Sequence, residues 1–94
     1  MNMKLVDKPT STRSPLTIGA LLPNGATIID FVCFATDQRP EGLVKHGRVL
    51  ALRTDSPDPF VVWFYVEHPD RSLYTHGGHY YDQLEPALAD LKAS

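Results

Sequence analysis

Residues 74–81 read YTHGGHYY, placing two histidines, a glycine pair and three tyrosines within one short stretch. Imidazole ligates divalent metals and moves protons near neutral pH, so this is where chemistry is sought first. His76 and His79 stand at a spacing a metal ion can use, and His68 or Asp82 would complete the shell. On a regular strand, however, positions three apart face opposite sides, and the two rings converge only if Gly77 and Gly78 form a bulge. Two histidines are too few for a structural zinc, and the lone Cys33 is distant in sequence, so no metal and no cofactor is expected. His79 with Tyr80 is the nearest approach to an acid–base pair. No serine or cysteine sits in a nucleophile elbow and no phosphate-cradling glycine motif occurs, so no catalytic residue is assigned and an enzyme is not expected. Two readings remain. The glycine pair bends a strand under a helix or around a ring, or Tyr74, His76, His79 and Tyr80 form a recognition edge with backbone opened by Gly77 and Gly78.

The elements that must carry this stretch follow from pattern. PLTIGALL and ATIIDFVCFAT are β-rich segments separated by Pro23-Asn24-Gly25, which predicts a hairpin or tight corner. In the second segment alternation puts Ile29, Phe31, Cys33 and Ala35 on one face, read as the buried one, with Cys33 a core thiol. KHGRVLALRT is a second strand, bounded by Asp37, Pro40 and Gly42 on one side and by Pro57 and Pro59 on the other. FVVWFYVEH is the strongest strand signal, with Phe60, Val62, Phe64 and Val66 on one side and Val61, Trp63, Tyr65 and Glu67 on the other. Trp63 and Tyr65 are too large to leave in water, so a second subunit or a bound partner is expected to cover them. The PDRS turn after His68 returns the chain as SLYTHGGHYY, the partner of a hairpin. Asp82 and Glu85 have capping-box spacing ahead of Leu84, Leu88 and Leu91, which are expected to dock a short C-terminal helix, although Pro86 allows a start nearer Glu85. The expected fold is α+β: a mostly antiparallel meander of four or five strands with one C-terminal helix packed on a face.

At 94 residues the chain makes one domain, read as a tail over 1–15, where MKLV offers a short edge strand, and a folded unit over 16–94. A hydrophobic content of 43% with 21% charged residues is that of a folding chain, not a disordered one. Its small size leaves limited burial, which favours a homo-oligomer. A net charge of −2 with no basic run disfavours nucleic acid as a partner. The single cysteine and the polar N-terminus point to the cytoplasm and away from the membrane. Arg39, Arg48 and Arg53 read either as a solvated face or as receivers of a phosphate.

LPNGATIIDFV, FVVWFYV and GHYYDQLEPALADL together resemble small accessory proteins of actinobacterial phages and their prophages, which share the Leu-Pro-x-Gly-Ala-Thr turn, an aromatic strand and a short acidic-capped helix. That family has no activity to transfer. The resemblance, over roughly residues 20–91, implies a host-cytoplasmic module that binds and inhibits a host protein or sequesters a small ligand such as a signalling nucleotide. Trp63, Tyr65, Tyr74, His76, Gly77, Gly78, His79 and Tyr80 are the expected binding residues. The alternatives are a structural or regulatory subunit of a larger assembly and, third, a metal- or histidine-dependent hydrolase.

Overall fold

The computed structural model describes residues 16–93, so the expected tail over 1–15 lies outside the described residues. The strands β1 (Thr27–Arg39), β2 (Gly42–Leu52), β3 (Phe60–Glu67) and β4 (Leu73–Tyr81) follow one another across a four-stranded sheet, each antiparallel to the next, and α1 (Leu84–Lys92) closes the chain. This is the α+β meander that the alternating patterns predict, with four strands. Tight turns keep each strand beside its predecessor. In the β3–β4 turn Asp70 accepts hydrogen bonds from the Ser72 amide and hydroxyl, at 2.9 and 2.6 Å. Those two bonds, the hydroxyl's foremost, hold the Asp70 carboxyl below its ordinary value. At the neighbouring tip Gly42, with φ +134°, lies so close to Pro69 that a Cβ would stand 2.9 Å from its ring.

The two sides of the sheet have different covers. Leu50 and Val62 are buried beneath Ala87 and Leu91 of α1, with Ile29, Val32, Phe60, Tyr81 and Leu88 packed around them. On the other side Leu16, Leu22 and Ala26 close over Ile28, Val49, Ala51, Val61, Trp63 and Tyr65. The covering segment is not the strand its composition suggests. It makes an isolated bridge, Leu21 to Thr27, with Gly19 donating to the Ile28 carbonyl at 2.7 Å and Ile28 to that of Ala20 at 2.8 Å, and otherwise holds its shape through turns. Gly25 donates to the Leu22 carbonyl at 2.8 Å, and the Asn24 side chain accepts from the Ala26 amide at 3.0 Å. The Pro23-Asn24-Gly25 corner therefore folds an apolar arm over the sheet. Gly47 is needed on this side, because a Cβ there would stand 2.6 Å from the Tyr65 ring.

Strict alternation fails in β1. Register shifts at Ile28/Asp30 and Cys33/Ala35 each insert a residue. Ile28 and Phe31 consequently pack on the arm's side while Ile29 and Val32 pack on the helix side. Beyond Val32 the strand outruns both covers, and Cys33, expected in the core, is exposed.

The helix start also departs from expectation. Gln83 is the N-cap and no side chain caps it, so the Asp82–Glu85 box does not form. Leu84 is then the first helical residue and Pro86 the third, a position whose amide has no partner inside a helix, so proline there removes no helical bond. The same phase turns Leu84 outward, and Ala87 and Leu91 are the fully buried anchors, with Leu88 half-buried. Leu91→Ala is expected to lose about 2–5 kcal/mol in urea denaturation, while Leu84→Ala changes stability by no more than about 0.5 kcal/mol.

Candidate functional site

The glycine pair in β4 does form a bulge. Pairing runs Val62 to His79 and Phe64 to His76, with the register shift between them. Gly77 takes φ +67°, the left-handed region that glycine enters without a Cβ penalty. A Cβ on Gly78 would lie 2.7 Å from the Trp63 indole nitrogen, so the strand passes tightly around that ring. The bulge carries His76 and His79 to the same side of the sheet, the one α1 occupies, together with Tyr74 and Tyr81. Tyr80 goes to the other side, where its ring stands edge-on to Trp63 and the Arg53 guanidinium lies 5.4 Å from its centre. The recognition edge expected from Tyr74, His76, His79 and Tyr80 is thus divided between two faces.

Trp63 and Tyr65 are not part of an open surface. They are 8% and 1% exposed, and the arm over residues 16–26 covers them within the same chain. The cover expected from a second subunit or partner is supplied internally, which removes the ground on which these two rings were read as binding residues and as an oligomer interface. The Tyr65 hydroxyl is buried with no hydrogen-bond partner among the described residues. Burial pushes its ionisation well above the ordinary tyrosine value, and neighbouring Cys33 and Glu67 act in the same direction.

What remains open is the part of the helix-side face that α1 does not reach. Arg48, Phe64 and His76 pair in register across β2, β3 and β4, and Phe34, the residue inserted by the second β1 shift, reaches them from beyond Val32, the β1 partner of Arg48. The Arg48 guanidinium carbon lies 5.6 Å from the centre of the Phe34 ring and 5.1 Å from that of Phe64. The two phenyl rings meet edge to face at 6.4 Å, and His76 stacks on Phe64 at 5.5 Å with 22° between planes. Phe34 is half exposed, at 50%. Ala35, His46, Val66 and Tyr74 make the next row outward on the same face. Arg48 has no carboxylate within ion-pair distance among the described residues, whereas Arg39 is paired with Asp37 at 2.9 Å. Two rings hold the Arg48 fork in place, and its donors have no ion-pair partner among the described residues.

Where this row meets the helix, one carboxylate oxygen of Asp90 accepts from the Tyr81 hydroxyl at 2.7 Å and lies 2.8 Å from His79 Nδ1. Partial burial acts to raise the Asp90 carboxyl. The Tyr81 hydrogen bond, the bond and charge of His79 and the charge of Arg48 outweigh it and hold the group below its ordinary value. The same bond, then burial, then the Asp90 charge raise Tyr81 above its ordinary value. The cluster fixes one side of the His79 ring and leaves its other nitrogen outward. It contains no nucleophile, and no group of three or more His, Cys, Asp or Glu residues stands close enough to hold a metal among the described residues.

A concavity of about 480 Å³ lies at the hairpin tips between Glu41, His68, Pro69, Asp70, Ser72 and Tyr74. Asp70 there is already engaged by Ser72. Of the residues expected to bind, His76, His79 and Tyr74 share the open face; Gly77 and Gly78 place them; Trp63 and Tyr65 are core; Tyr80 lies opposite. Phe34, Phe64 and Asp90 join the site unforeseen. Phe34 falls on the face of β1 that alternation left unburied, with nothing local to name its partners on β2 and β3, and Asp90 carries no local signal, since its partners are on β4.

No family model, curated protein or solved structure matches this chain. No helix among the described residues is long and apolar enough to cross a membrane.

The Asp90 cluster has a pH signature. Because its folded value is depressed, Asp90 contributes stability that is fully present above the unfolded carboxylate value of about 3.9 and is lost as pH falls through the lower folded value. Tyr81, being raised, contributes stability present below about pH 10 and lost as pH rises through its folded value. Asp90→Ala is expected to cost about 1–3 kcal/mol at neutral pH and to make both limbs of the stability profile shallower, read by urea denaturation from acid to alkaline pH. Unchanged limbs would show that the cluster contributes nothing to folding.

Proposed function

We propose that this protein is a small non-enzymatic binding module that engages its target on the open part of the helix-side face, around Phe34, Arg48, Phe64 and His76. The observation that carries this reading is the Arg48 guanidinium, ordered by two rings and with no carboxylate in ion-pair range among the described residues, while Phe34 beside it stands half in solvent. A row of rings in contact, one pair stacked and one edge to face, around a cation suits recognition, since aromatic residues and arginine supply contact area and directional donors at small entropic cost. The arrangement suits catalysis less well, because the oriented His79 has no nucleophile beside it. A cytoplasmic accessory role of the phage type, in which the module restrains a host protein or sequesters a small ligand, is the setting that its sequence resemblance suggests. Self-association now rests on the small size of the chain alone.

A fragment screen by two-dimensional NMR tests the location of the site. Flat and anionic fragments are expected to cluster their shifts on Phe34, Arg48, Phe64 and His76. Clustering in the concavity between Glu41 and Tyr74, or scatter over the whole surface, would show that the open row is only a solvated part of the sheet.

A further inference from the structure

We infer that the ligand of the open row is a nucleotide: a flat base carrying a phosphate, either free as a nucleoside monophosphate or within a short single strand. This rests on the binding-module reading and names the chemistry that its site would take. Three observations converge on it. First, the row offers planar groups in contact, with His76 stacked on Phe64 at 5.5 Å and Phe34 half exposed at its far end, so a further flat ring extends an existing stack. Every base has such a π-face, which makes this mode of binding tolerant of base identity. Second, Arg48 sits inside the row with no carboxylate in ion-pair range among the described residues, and its planar fork matches two phosphate oxygens. Ring and anion are therefore served within the span of one small molecule. Third, His46 stands in the next row, across the pair from Val66, and His76 flanks Phe64, so two imidazoles border the same area as Arg48 and can add hydrogen bonds to phosphate or sugar.

The carboxylate at this border is tied back. One Asp90 oxygen is engaged by the Tyr81 hydroxyl at 2.7 Å and by His79 Nδ1 at 2.8 Å, outside ion-pair range of Arg48. It would otherwise oppose a phosphate. Aliphatic or purely cationic ligands use only half of what the row presents: the former leave Arg48 unpaired, the latter meet it as a like charge.

The test is an NMR titration of the full chain with AMP, GMP, adenosine, ribose 5-phosphate and a short oligoadenylate. AMP or GMP is expected to saturate at or below about 1 mM and to move the signals of Arg48, Phe64 and His76. Adenosine and ribose 5-phosphate are each expected to bind at least about tenfold more weakly, since each lacks one of the two recognised parts. Arg48→Gln should bring AMP down to the level of adenosine. Phe34→Ala, at a half-exposed position that the core does not need, should weaken AMP and adenosine alike. Oligoadenylate binding about tenfold more tightly than AMP, with a steep salt dependence, assigns the single strand as the source of the same chemistry; equal or weaker binding assigns the free nucleotide. Ribose 5-phosphate equal to AMP, shifts confined to other surfaces, or no saturation by any of these ligands would overturn the inference. If fragments still cluster on the row while every nucleotide fails, the ligand class is wrong and the site stands. If the fragments also go elsewhere, the site reading falls with it.

Discussion

Gly77 in its left-handed conformation adds one residue to β4, and most of what is distinctive on the helix side follows from that addition. Without it, His76 and His79 would face opposite sides of the sheet. With it, His79 reaches Asp90 on α1 and His76 reaches Phe64 on β3. The bulge therefore joins two tasks that a regular strand keeps apart: clamping the helix and completing the row of rings. Its neighbour Gly78 leaves the space that the Trp63 indole occupies, so the same two residues also fit the strand around the core of the opposite face.

The sheet is covered unequally, and the inequality is what creates a surface to bind with. A nine-residue helix is too short to span the helix side, and it buries Leu50 and Val62 while leaving Phe34, Phe64 and His76 beyond its reach. The arm over residues 16–26 achieves more with less regular structure, because Leu16, Leu22 and Ala26 meet two large rings already placed by β3. Aromatic burial on that side concentrates stability in the arm's few apolar contacts. The open rows on the helix side contribute less to the core.

Much of the architecture was legible from local signals. Proline and glycine marked each turn, period-two patterns marked the strands, and the leucines near the C-terminus marked the helix. What escaped had a common origin in backbone register. The first of two bulges in β1 put Ile28 on the side of Phe31 and Ile29 on the side of Val32, against strict alternation. A helix start at Leu84, one step from the capping pattern, turned Leu84 outward and Ala87 inward. The site was legible only in part: the chemistry of YTHGGHYY and the dependence of its histidines on a glycine bulge were readable, but the partners Phe34, Arg48 and Asp90 come from three other elements. Their convergence depends on pairing registers that no short window contains. The reading of Trp63 and Tyr65 as outward failed because the segment before β1, read as β-rich, folds largely through turns as an arm that covers them.

Both strands at the margins of this sheet are broken by inserted residues, β1 twice and β4 once. An unbroken margin is a template on which another chain can lay a strand of its own, as many peptide-binding domains allow. Here a guest strand would lose step with its host within a few residues, at Phe34 on one flank and at Gly77 on the other. Recognition by lending a strand is discouraged on both flanks, and so is the growth of open-ended stacks of copies. A partner is steered to approach broadside, toward side chains and not toward the backbone.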